Sequence, residues 1–347
     1  MDMYLPPFRP LGWLRGGHAQ TLAGFWMPGR REPYLAERHR VLLPDGDSVI
    51  LHDDCPESWQ PGSPLALLLP GLCGSYRSAY MVRIAAKLKR SCVRVFRMDQ
   101  RGCGAGRGLC RRPYHAGLSG DVAECLQVID RLCPSTPVSL VGFSMGGNLA
   151  LMLAGENRPH NVHSVLAFSP PINLSAAAAA LERPSNCFYN RYFVKWMGRV
   201  TADLLPGYPR PELPFLSVQE LNEFYLTKVW RFGTLERYYN RASAIRFLPS
   251  IQVPTLIVTA ADDPIVPVHS FARARFSRTT RLVITERGGH LGFLGKTNLP
   301  DPDRRWMDWR VVDWVTRCRV GRVFETHRKH QPLTALSVGL EDSTHPT

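Results

Sequence analysis

The segment Val138-Ser139-Leu140-Val141 runs directly into Gly142-Phe143-Ser144-Met145-Gly146-Gly147, and helical character resumes from Asn148 to Ala154. A buried strand that turns sharply into a helix constrains the fold more than any other feature of the chain. Such a strand needs cover on both faces, so it belongs in a sheet with helices above and below. The same pattern recurs around it. Leu65 to Leu69, Cys92 to Met98, Ser164 to Phe168, Thr255 to Val258 and Arg281 to Ile284 are short apolar runs of strand length. Between them, Met81, Ile84, Ala85 and Leu88 share one helical face, and Val122, Cys125, Leu126 and Ile129 share another. This alternation predicts an α/β fold with a mostly parallel central sheet and helices on both faces. Upstream, Val41-Leu42-Leu43 and Val49-Ile50-Leu51 flank Pro44-Asp45-Gly46-Asp47, the signature of a β-hairpin.

From about Ile172 to Ile245 the alternation stops. An alanine run, Ala176 to Ala180, is followed by aromatic segments and by prolines at 206, 209, 211 and 214. This stretch reads as a helical lid inserted above the sheet. Trp306 to Val315 closes the domain as a helix. The expected organisation is one domain over residues 1–325, with an irregular, partly helical segment at 1–37 and the lid at about 172–245. Residues 326–347 read as a flexible tail.

Nine cysteines are scattered without a repeated spacing, and no Cys/His cluster suggests a metal. No run is apolar enough to span a bilayer, and the first residues do not form a secretory signal, so a cytoplasmic location with free thiols is expected. The net charge of +14 invites a nucleic-acid reading. The arginines are dispersed, however, and no nucleic-acid-binding motif is present, so no such partner is expected. A basic surface is compatible with weak peripheral contact with an anionic membrane.

The chemistry concentrates at three loops, each placed where a strand ends. Sheets of this kind bind ligands beyond the carboxyl ends of their strands. Gly142-Phe143-Ser144-Met145-Gly146 has the G-x-S-x-G form in a strand–turn–helix context, which lifts a serine hydroxyl out of the sheet. A hydroxyl is a poor nucleophile without an adjacent base. His290, after Gly288-Gly289, is the candidate base. Asp263 in Ala260-Ala261-Asp262-Asp263-Pro264 is the candidate acid that orients it, with Asp262 as the alternative. An oxyanion would need two peptide N–H groups. Met145, directly after the serine, offers one. The loop Pro70-Gly71-Leu72-Cys73-Gly74-Ser75 offers the other at Leu72, with Cys73 as the alternative. The blander readings are a plain Gly/Ser turn, a helix-capping aspartate pair and a loop histidine held by backbone.

These segments together resemble the YheT-like α/β-hydrolases, whose eukaryotic relatives include lipid-acting hydrolases. The resemblance spans roughly residues 8–318. It rests on Gly17-His18-Ala19-Gln20-Thr21, Pro70-Gly71-Leu72-Cys73-Gly74-Ser75, Arg101-Gly102-Cys103-Gly104, Tyr114-His115-Ala116-Gly117, the elbow, Asp262-Asp263-Pro264 and Gly288-Gly289-His290-Leu291-Gly292-Phe293. The Gly-His-x-Gln-Thr and Gly-Gly-His-x-Gly-Phe segments are the more specific ones. The resemblance implies an α/β-hydrolase fold and a Ser144, Asp263, His290 triad. It further implies hydrolysis of short- or medium-chain acyl esters or lipid esters, without a cofactor. Thioesterase, amidase or acyltransferase chemistry would use the same triad, and a lipid-binding protein could reuse the scaffold. The chain departs from the group at Tyr225, where an acidic residue is expected. His18 and His115 read as buried, hydrogen-bonded structural histidines. Phe188, Tyr189, Tyr192, Phe193 and Trp196 either line an acyl pocket or pack the lid.

Overall fold

Leu65, Leu67 and Leu69 belong to one side of a sheet and Ala66 and Leu68 to the other, and every one of them is buried. The same split holds for Val138 and Leu140 against Val141 and Phe143. A strand covered on both faces has no polar face, which is why these segments read as continuous apolar runs. The computed structural model describes residues 5–27, 29, 32–112, 114–156, 161–202, 214–229, 231–297 and 301–317. The tail at 326–347 and the prolines at 206, 209 and 211 lie outside these residues.

Eight strands form one sheet: β1 (Glu37–Leu42), β2 (Ser48–Asp54), β3 (Leu65–Leu69), β4 (Arg94–Asp99), β5 (Val138–Phe143), β6 (Val162–Phe168), β7 (Thr255–Ala260) and β8 (Thr280–Thr285). Their order is β1-β2-β4-β3-β5-β6-β7-β8. β1 and β2 form the predicted hairpin, in register Val41 to Val49, with Gly46 at a φ of 84° in the turn. β2 joins β4 antiparallel, and all remaining pairs are parallel. Helices Ser119–Leu132 and Met145–Glu156 cover one face, and Ala79–Arg90 and Trp306–Arg317 cover the other.

Between β6 and β7 the chain leaves the sheet. Helices Leu174–Leu181, Cys187–Ala202, Val218–Asn222 and Leu235–Ala242 lie here, with a π-helical segment at Glu223–Val229. The N-terminal segment contains a helix, Gly17–Trp26. It packs against the loop that follows β8, a placement that matters for the site.

Candidate active site

Ser144 joins β5 to the helix Met145–Glu156 with a backbone φ of 50°. This left-handed conformation costs a non-glycine residue about 1 kcal/mol. The neighbouring glycines make the turn sterically feasible. A Cβ at Gly142 would stand 2.3 Å from the Gly146 carbonyl oxygen, and one at Gly146 would stand 2.3 Å from that of Leu69. The Ser144 N–H donates to Phe168 O at 2.8 Å, and the Gly147 N–H donates to Ser144 O at 2.8 Å. The elbow is thus fixed by residues close to it in sequence and by the adjacent strand.

His290 lies in the loop after β8. Its Nε2 is 2.8 Å from Ser144 Oγ, and its Nδ1 is 2.9 Å from Asp263 Oδ2. With Nδ1–H directed at the carboxylate, Nε2 presents its lone pair to the serine hydroxyl. Asp263 Oδ1 accepts the N–H groups of Ile265 and Val266, each at 2.9 Å, so the carboxylate is anchored by its own loop. Asp262 serves a different contact. Its Oδ1 accepts the Gly289 N–H at 2.8 Å, and burial pushes its carboxyl above the usual range. Of the two aspartates, Asp263 is the one facing the imidazole.

The His290 loop is also held from the opposite end of the chain. Its N–H donates to Thr21 Oγ1 at 2.8 Å, and that hydroxyl donates to Gly17 O at 2.7 Å. Gln20 is fully buried. Its Nε2 donates to Leu14 O and Leu294 O at 3.0 Å, and its Oε1 accepts the Leu294 N–H at 2.8 Å. The approach is close enough to require glycine. A Cβ at Gly289 would stand 2.3 Å from Gly17 O, and one at Gly292 would stand 2.3 Å from Gln20 O. Sequence reasoning did not single out Gln20 and Thr21 as site residues. The available signal was that both belong to Gly17-His18-Ala19-Gln20-Thr21, one of the more specific segments of the resemblance.

The loop after β3 holds both loop candidates for an oxyanion donor, Leu72 and Cys73. Gly71 N–H donates to Tyr80 Oη at 2.9 Å and Cys73 N–H to Tyr114 Oη at 2.5 Å. Gly74, Ser75 and Tyr76 donate to Gly71 O, Ser78 Oγ and Asp99 Oδ1. Among the described residues, the Cys73 N–H is thus already engaged, and no hydrogen bond is formed by the Leu72 N–H, which lies beside Ser144 at the cavity.

Residues 64–297 match the family described as alpha/beta hydrolase fold. The YheT protein of Escherichia coli (strain K12) is 30% identical over 89% of this chain and 93% of its own length. The chain belongs to the α/β-hydrolase family, in its YheT-like branch. Phospholipase ABHD3 of Bos taurus is 26% identical, with 83% of this chain and 73% of the relative covered. Among solved structures, the Pyrococcus furiosus esterase Pf2001 superposes with a TM-score of 0.55 at 17% identity, covering 83% of this chain and 96% of that one. At that identity the likeness speaks to the fold.

In this α/β-hydrolase the inserted helices, with the loops at the strand ends, line a partly open cavity of about 110 Å³ beside Ser144, Met145 and Leu72. Its walls are mainly apolar, including Leu174, Leu181, Met197, Leu221 and Leu226. The π-helical turn delivers Tyr225 and Leu226 to this wall. Of the five aromatic residues considered from sequence, Phe193 alone lines the cavity. Trp26 meets Phe188, His18 stacks on Tyr189, and Phe25 meets Tyr192, so these rings join the insertion to the N-terminal helix. His18 is exposed rather than buried, and its Nδ1 lies 3.1 Å from Tyr189 Oη. His115 borders the cavity. Its Nδ1 accepts the Gly117 N–H at 3.1 Å, and burial, aided by the Arg101 charge, pulls the imidazole down to about 3. That shift favours the neutral imidazole.

Proposed function

We propose that this protein is a serine hydrolase that cleaves carboxylic esters, of short- or medium-chain acyl groups or of lipids, through an acyl-enzyme. The reading is carried by one observation: a hydrogen-bonded chain from Ser144 through His290 to Asp263 borders an apolar cavity. Ser144 Oγ attacks the ester carbonyl as its proton passes to His290 Nε2, and Asp263 stabilises the imidazolium that forms. The tetrahedral oxyanion sits between the Leu72 and Met145 N–H groups. His290 then protonates the departing alcohol. Water, deprotonated by the same imidazole, releases the acid and restores Ser144.

The helical segment at about 172–245 acts as a lid whose inner face receives the acyl chain. Apolar walls with few polar groups favour an acyl chain over a charged substituent. A phospholipase among the relatives supports lipid esters as one substrate class.

The test is hydrolysis of p-nitrophenyl esters of increasing chain length by the wild type and by Ser144→Ala. Turnover in the wild type that falls about a millionfold in the variant supports the scheme. Turnover unchanged in Ser144→Ala rejects it.

A further inference from the structure

Helix Cys187–Ala202 has two unlike faces. Phe193, Met197, Val200 and Thr201 recur at helical spacing and line the cavity. The opposite face carries Phe188 and the part-buried Tyr192 interleaved with Arg191, Lys195 and Arg199, with the part-buried Trp196 on the flank between the two faces. The three cations are exposed, and Phe188 is 50% exposed. The Arg199 guanidinium lies 4.7 Å from the Trp196 ring centre.

The exposed end of helix Gly17–Trp26 continues this surface. Phe25 and Trp26 are 55% and 61% exposed, and Met27 beyond them is 41% exposed. Phe25 meets Tyr192 at 5.4 Å and Trp26 meets Phe188 at 6.1 Å, which joins the two helices edge to edge. Neither helix contains an aspartate or glutamate.

We propose that this face seats on the surface of an anionic membrane and presents the cavity behind it to lipid. Tryptophan, tyrosine and phenylalanine side by side with Lys and Arg are suited to the bilayer interface. The rings enter the headgroup boundary while the cations reach the lipid phosphates. The absence of acid on both helices and the net charge of +14 complement a negative surface. No helix among the described residues is long and apolar enough to cross a membrane, so the contact is peripheral. The same helix forms the cavity wall, so docking places a lipid ester within reach of the acyl pocket. That last step rests on the ester-hydrolase reading; the docking itself does not.

The test uses the full chain in flotation with vesicles of phosphatidylcholine, alone or mixed with phosphatidylglycerol. Binding is expected to the mixed vesicles at low ionic strength and to fall as salt is raised. The combined Arg191→Gln, Lys195→Gln, Arg199→Gln variant should lose roughly fivefold in affinity per cation, on the order of a hundredfold in all. Trp26→Ser with Phe188→Ser should also weaken binding, and brominated lipid should quench wild-type tryptophan fluorescence. Equal binding to both vesicle types, variants that bind like the wild type, or no quenching overturns the proposal. So does wild-type dimerisation that Trp26→Ser with Phe188→Ser abolishes, because the patch would then join two copies. Hydrolysis of soluble p-nitrophenyl acetate, measured in the same samples, separates failure of docking from failure of the esterase reading.

Discussion

The elbow at Ser144 and the loop at His290 bring two side chains to within 2.8 Å of each other, yet they are built in opposite ways. The elbow is nearly self-contained. Its geometry follows from Gly142, Gly146 and an adjacent strand, and its strained φ is held by a buried β-strand on one side and a buried helix on the other. The His290 loop has no comparable local frame. It is positioned by Asp263 and Asp262 from the end of β7, and by Gly17, Gln20 and Thr21 from a helix at the other end of the chain. The comparison teaches that the proposed nucleophile is placed by local sterics, whereas the proposed base depends on long-range contacts that the loss of a single hydrogen bond can weaken. Damage near the elbow should therefore register in folding, and damage near His290 in turnover with folding largely retained.

Beyond Ser144→Ala, the largest effect is expected where the proposed base loses its orienting acid. Asp263→Asn should lower kcat by about 10⁴-fold through the wrong imidazole tautomer, with the thermal midpoint little changed. A midpoint that collapses along with activity would show that the loop is as self-supporting a folding unit as the elbow. Gly289→Ala comes next. The residue sits at a φ of 58°, and its new Cβ would meet Gly17 O, so the loop must shift away from the N-terminal helix. A displacement near 1 Å predicts a loss of about a hundredfold in kcat/KM. Activity close to wild type would mean that the clamp does not set the position of His290.

Thr21→Val tests the clamp more gently. Losing one buried hydrogen-bond partner costs about 1 kcal/mol, so roughly a fivefold fall in kcat is expected, restored by Thr21→Ser. If serine rescues no better than valine, the hydroxyl is not the positioning element.

A contrasting histidine provides a pH measurement. His115, expected from sequence to be buried, is half-buried, and desolvation together with the Arg101 charge draws its folded value down to about 3 from an ordinary 6.5. Unfolding exposes a stronger base, so its contribution to stability is complete above about pH 6.5 and is lost as pH falls towards about 3. The wild-type thermal midpoint should thus fall more steeply over that range than that of His115→Gln. Parallel midpoint curves would remove His115 from the acid side of the profile. The smallest effect belongs to Asp262→Asn, which retains the Oδ1 acceptor for Gly289. Turnover should stay within about threefold of wild type. A loss rivalling that of Asp263→Asn would exchange the roles assigned to the two aspartates.

How much was legible in the chain varies with the range of the interactions involved. The strands were readable because burial on both faces leaves an unbroken apolar run, as in Leu65–Leu69. Strand β4 begins at Arg94 rather than Cys92, since the carboxyl end of helix Ala79–Arg90 is followed by a turn through Ser91 and Cys92, the latter at a φ of 58°. The aromatic residues of helix Cys187–Ala202 were ambiguous because helical spacing defines faces without saying what each face meets. One face lines the cavity and the other meets helix Gly17–Trp26.

The sequence by itself determined the α/β alternation, the sharp turn at Ser144 and the presence of an aspartate pair and a Gly-Gly-His loop at later strand ends. All of these follow from short-range sterics and from periodicities of two and 3.6 residues, which neighbouring side chains write directly into the chain. Only the tertiary structure decided that Asp263 rather than Asp262 meets His290, that Cys73 is occupied by Tyr114 while Leu72 is not, and that Thr21 holds the loop of His290. Each of those choices depends on which donor and acceptor face one another across the fold. Adjacent residues of the same type point in different directions on a tight turn, and composition and spacing carry no record of that direction.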